Sequence, residues 1–160
     1  MNDPPSWNED FDAMVDALQA EQVDFVVVGA HALAAHGIAR ATGDFDLLVR
    51  ASPEGADRVL RALARFGAPI AQHGVTREDF ETPGAVYQIG LPPRRIDLLT
   101  AISGVDFERA WSTRTEVSLH GRTLPVLGYD ALLENKRAAG RPKDVLDAQM
   151  LELMRAAPRT

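Results

Sequence analysis

Residues 23–46 read VDFVVVGAHALAAHGIARATGDFD, and this stretch decides the fold. Val23 to Val28 is a short β-branched run of the length and composition of a buried strand, ending at Gly29. Ala30 to His36 is rich in helix formers and stops at Gly37, which predicts a short helix directly after the strand. A return turn through Arg40 and Thr42 then leads into Asp44-Phe45-Asp46 and a second strand over 45–49. Residues two apart in a strand share a face. Asp44 and Asp46 are therefore predicted side by side, with Phe45 turned into the core.

Outward from this unit, Ser6 and Glu9 have capping-box spacing before apolar Phe11, Met14, Val15 and Leu18, predicting a helix over 7–21. Ser52 and Pro53 open a helix through 66 that ends at Gly67. Residues 68–84 show no clear period. Strands are expected over 85–89 and 95–101, a short helix over 106–111, and a hairpin of strands 117–119 and 123–127 around His120-Gly121. A helical C-terminus, 129–157, divides at Gly140 into helices over 129–139 and 142–156. No repeat or long linker divides the 160 residues, so one α+β domain with a mixed sheet flanked by helices is expected.

Composition narrows the function. The chain has no cysteine, which excludes disulfides, thiolate catalysis and cysteine-built zinc sites. The formal charge of −6 speaks against a surface that tracks long nucleic acid. That charge is segregated: residues 1–24 carry seven acids and no Lys or Arg, whereas the remainder carries 16 acids and 17 bases. The acidic N-terminal segment, 1–22, thus hangs on a nearly neutral body. The acidic, proline-bearing start has no leader character, and the longest apolar run, 25–35, contains His31 and is too short to span a bilayer, so no membrane association and a cytoplasmic location are expected. A P-loop, GxGxxG, GxSxG and HExxH are all missing.

What remains is a set of acids. Asp97, in Arg95-Ile96-Asp97-Leu98-Leu99, stands among apolar residues in a strand, where an ionised carboxylate needs a partner. If that strand neighbours the Asp44–Asp46 strand, three carboxylates converge, an arrangement suited to two Mg²⁺ or Mn²⁺ ions roughly 3.5–4 Å apart. Asp97 would otherwise pair with Arg94, Arg95 or Arg40. Gly29 and Ala30, at a strand-to-helix turn, offer amides to an anion, although a tight turn alone also asks for glycine. Arg40 and Thr42, just before the acids, are further phosphate candidates. So are Lys136 and Lys143, within a group of four cations over 136–143, which as a plain helix junction would instead pair locally, for example Asp144 with Arg141. His31 and His36 read as packing residues.

Val28-Gly29-Ala30-His31-Ala32, Arg40-Ala41-Thr42-Gly43-Asp44-Phe45-Asp46 and Asp97 together resemble the signature of the DNA polymerase beta-type nucleotidyltransferase superfamily. Lys136 with Gly140-Arg141-Pro142-Lys143-Asp144 and Asp147 is similar to the tail of its AbiEii-type branch. The likeness spans about residues 23–150. It implies a nucleotidyltransferase fold, an NTP substrate and two-metal transfer of NMP to a hydroxyl on a tRNA end, a protein or a small molecule. Within that branch a toxin–antitoxin role with an antitoxin partner is implied as well. Ala30 departs from the motif, which usually has a second Gly or Ser there, and so lacks a hydroxyl for phosphate. A catalytically silent binding module on the same fold is the alternative, with a phosphohydrolase as a third reading.

Overall fold

The computed structural model describes residues 7–156. Helix α1 (Glu9–Ala20) leads into β1 (Phe25–Val28), α2 (Gly29–Ala35) and β2 (Asp44–Val49), followed by α3 (Pro53–Phe66). After a 3₁₀ turn at Arg77–Phe80 come β3 (Val86–Ile89), β4 (Arg95–Leu99), α4 (Phe107–Ser112), the hairpin β5 (Thr115–Leu119) and β6 (Arg122–Val126), then α5 (Tyr129–Ala139) and α6 (Pro142–Ala156). The six strands form one mixed sheet in the order β3-β4-β2-β1-β6-β5. Neighbours β1 and β2 run antiparallel, while β2–β4 and β1–β6 are parallel.

Most expected elements are present, and the differences have local causes. Ser6 lies outside the described residues; the cap of α1 is Asn8, whose side chain accepts from the amides of Asp10 and Phe11. Strand β1 begins at Phe25, two residues after its expected start, because Gln22 takes a positive φ and Val23 still bonds back to Leu18. Helix α2 starts at Gly29 itself, which adopts φ +69°. In the unread segment 68–84, the 3₁₀ turn buries Phe80 against α3, which gives that segment its place in the core.

Phe45 turns to the face covered by α1, where its ring lies 4.9 Å from Phe11 and 5.0 Å from Trp7. His31 of α2 joins this group, 5.2 Å from Phe45, as the packing residue expected. The acids of the N-terminal segment do not form a free face. Asp12 and Asp16 pair with Arg122 of β6, Asp10 with Arg94, Glu21 with Arg61 and Arg65, and Asp24 with Arg50. Each exposed pair adds little stability. Together they tie α1 and the turn after it to β6, to α3 and to the connections before β4 and after β2. Among the described residues, no helix is long and apolar enough to cross a membrane.

Burial, with His120 nearby as a second cause, pushes the His31 imidazole down to about 4. The folded state therefore holds it neutral where the unfolded chain takes up a proton. Stability from this group is complete above pH 6.5 and is lost as the pH falls through 4, at about 1.4 kcal/mol per pH unit between those limits. Urea denaturation of wild type and His31→Leu across pH 4–7 should show that slope in the difference between the two proteins, since Asp46, raised to about 7, titrates with the opposite sign in both.

Candidate functional site

Pairing of β2 with β4 sets Asp44 opposite Arg95 and Asp46 opposite Asp97. Strand alternation then puts all four side chains on one face of the sheet, away from α1. The two strands meet here because Phe45, Leu47, Ile96 and Leu98 are fully buried, and a slip of one residue would turn these apolar side chains outward. The three acids singled out in the sequence are thus neighbours, as the strand argument required.

The fourth corner is Arg95, one of the three partners considered for Asp97. Arg95 donates from Nε and Nη2 to the two oxygens of Asp97 at 3.1 and 3.2 Å, and from Nη2 to Asp44 at 2.8 Å. Strand alternation explains why Arg95 takes this role: two residues before Asp97 in β4, it shares the face of that carboxylate. Asp46 has no such partner, and its buried Oδ1 makes no hydrogen bond. Burial, then the charges of Asp97 and Asp44, push its carboxyl up to about 7. Hard carboxylate oxygens suit Mg²⁺ or Mn²⁺, and an orphaned oxygen among three acids is a donor in search of a cation. The donor set fits such an ion. Among the described residues, however, no three His, Cys, Asp or Glu side chains already stand in ligating geometry.

Gly29 closes one side of this array. A Cβ there would collide with Oδ2 of Asp46, and the positive φ adds backbone strain for any other residue. Glycine is thus demanded by the acid itself, before any phosphate is considered. The cleft at Gly29 and Asp46 opens into two lobes. The smaller, about 300 Å³, is lined by Ala30, Arg40, Thr42, Asp44 and Lys143. The larger, about 610 Å³, is lined by Leu99, Ile102, Ser103 and Asn135. Lys136 and Arg141 border both.

The cations are not all free. Lys136 is only 7% exposed and pairs with Asp144 at 3.3 Å and Asp147 at 3.2 Å. Arg40 also pairs with Asp147, and Arg141 with the fully buried Asp144 at 2.6 Å. This network ties the loop before β2 to the α5–α6 junction and fixes the cationic wall of the smaller lobe. Lys143 has no carboxylate partner among the described residues. Thr42 serves β2 locally, its hydroxyl accepting from the Asp44 amide at 3.1 Å. His36 caps no ligand; its Nε2 donates to the Leu127 carbonyl at 2.7 Å.

By sequence, no family profile matches the chain and no characterised protein is significantly similar. Solved structures are similar in fold. TM1012 of Thermotoga maritima, a candidate nucleotidyltransferase, superposes with a TM-score of 0.53 at 18% identity, covering 90% of this chain and 89% of that one. The antibiotic-resistance factor ANT(2'')-Ia superposes with a TM-score of 0.54 at 14% identity, over 92% and 87% of the two chains, in a structure holding adenylyl-2''-tobramycin. An antigenic nucleotidyltransferase-like protein from Paracoccidioides brasiliensis gives 0.51 at 15% identity, over 94% and 77%.

For Gly29→Ala, left-handed backbone strain of at least about 1–2 kcal/mol adds to the contact with Asp46. Chemical denaturation should show that loss, whereas Ala30→Gly, at a neighbouring position without this contact, should cost less. With its mixed six-stranded sheet and helical C-terminus, the chain has the nucleotidyltransferase fold.

Proposed function

We propose that this chain transfers a nucleoside monophosphate from an NTP to a hydroxyl acceptor, assisted by Mg²⁺ or Mn²⁺. One observation carries the reading: Asp44, Asp46 and Asp97 share one face of two paired strands beside the Gly29 turn, on a fold common to nucleotidyltransferases. Arg95 answers two of these acids, Asp44 and Asp97, and the buried Oδ1 of Asp46 is left without a hydrogen bond.

Asp44, Asp46 and Asp97 would hold the cations, two when the NTP is bound. Such ions supply charge neutralisation at the phosphates and alignment of the reacting groups. Gly29 and Ala30 present backbone to the triphosphate without a side chain in the way. Arg40, Thr42 and Lys143 line the smaller lobe and would receive its β- and γ-phosphates, with Lys136 behind them, anchored by Asp147. Asp97 orients the acceptor hydroxyl and takes its proton. The acceptor oxygen then bonds to the α-phosphorus as the bond from that phosphorus to the bridging oxygen breaks, and pyrophosphate leaves. Apart from that proton transfer, the protein contributes positioning and electrostatics.

The larger lobe carries no unpaired carboxylate besides the aspartate array, since Asp144 is taken by Lys136 and Arg141. An acceptor there would be a tRNA end, a protein hydroxyl or a neutral small molecule. A toxin of the AbiEii type, acting in the cytoplasm and held by an antitoxin, is the specific setting that the tail motif supports. The second reading, a silent interaction module, draws on Ala30 and on the guanidinium already seated between two of the acids.

Incubation with α-phosphate-labelled NTPs, Mg²⁺ and acceptor mixtures of RNA, protein and small molecules should move label to one class. Asp44→Asn should lower that transfer by roughly a hundred- to a thousandfold. Equal transfer by the variant would exclude the mechanism. Absence of NTP binding in calorimetry, beside a stably co-purifying partner, would favour the silent module.

A further inference from the structure

The four in-register positions form a square of three carboxylates and one guanidinium, with a formal charge of −2 if all are ionised. Arg95 uses its planar fork on two of the three acids at once, both oxygens of Asp97 and one of Asp44, and has no other side-chain partner among the described residues. A lysine, a single point charge, would not grip both in this way. Its side chain keeps 28% of its surface in solvent, unlike the enclosed Lys136. It can therefore leave the acids for water without opening the core. A divalent cation ligated by Asp44 and Asp97 must share both Asp97 oxygens and the Asp44 carboxylate with Arg95, and two cations crowded on the same groups repel, so the two compete.

We infer that Arg95 is the resident counter-ion of the aspartate array and that divalent cations load by displacing its guanidinium from Asp44 and Asp97. The inference rests on the reading of these acids as cation ligands. The affinity of the nucleotide-free protein for a divalent cation is then set by Arg95 as much as by the acids. With the guanidinium displaced, the three ionised carboxylates carry −3, which one divalent ion lowers to −1, and the second enters with the triphosphate, which brings its own negative charge. Arg95 is in this sense a positioning residue: it holds Asp44 and Asp97 in place while no cation is bound and gives way when one arrives.

The test needs no substrate. Mn²⁺ is titrated at pH 8 into nucleotide-free wild type, Arg95→Gln and Asp97→Asn by calorimetry and by the Mn²⁺ electron paramagnetic resonance signal, with thermal melting in EDTA and in Mn²⁺. Arg95→Gln should bind Mn²⁺ about tenfold or more tightly than wild type. It should melt lower than wild type in EDTA, where three carboxylates face one another unneutralised, and gain more on adding Mn²⁺. Arg95→Lys, which keeps the charge and loses the fork, should bind with intermediate affinity and serves if the Gln variant does not fold. Measurable binding by wild type and Asp97-dependent binding, with no gain in folded Arg95→Gln or Arg95→Lys, would overturn the role of Arg95 alone. No Mn²⁺ binding by any folded variant would overturn the cation-site reading and this inference with it.

Discussion

Parallel pairing of β2 with β4, in register from Asp44–Arg95 to Leu48–Leu99, is the constraint on which the rest of the molecule depends. The register is held by what lies on the far side. Phe45, Leu47, Ile96 and Leu98 are buried in the core, and a shift by one residue would expose them all while burying the charged set. Core packing on one face thereby dictates electrostatics on the other. The acids are gathered at a cost in mutual repulsion that the apolar face underwrites.

The charged face answers that repulsion in two ways. Arg95 pairs with both Asp44 and Asp97, and Asp46 is left to a raised proton affinity. A few residues away, the loop and helix junction solve the opposite problem. Asp144 and Asp147, both buried, are each met by two cations, drawn from Lys136, Arg141 and Arg40. Breaking one partner of such a pair leaves an uncompensated buried charge, which is why these groups are best understood as a single network. The cleft is consequently bordered by an array with spare negative charge on the strands and a wall of largely compensated cations on the helices.

The acidic N-terminal segment takes a different meaning in three dimensions. Its carboxylates meet arginines from β6, the α3 surface and the β3–β4 and β2–α3 connections, so the segregation along the chain is undone across the fold. The overall charge describes the molecule poorly. What a ligand meets is local, and at the cleft it is set by which ions are already paired.

Much was legible in the sequence because it rests on local rules. The strand–Gly29–helix unit, the Ser52-Pro53 start of α3, the His120-Gly121 hairpin and the two C-terminal helices follow from period, propensity and punctuation within a few residues. Alternation alone put Asp44 and Asp46 on one face and Phe45 on the other. What alternation cannot supply is which strand lies beside which: Asp97, 51 positions after Asp46, became its neighbour only through the order β4-β2-β1. The partnerships of the cations were likewise beyond reach. Lys136 and Arg40 look like free positive charges in sequence, and only the packing of α6 brings Asp147 between them. The residue types and their local faces belong to the sequence; which charges remain unspent is decided by the tertiary structure, because ion pairing depends on distances between segments that share no local geometry.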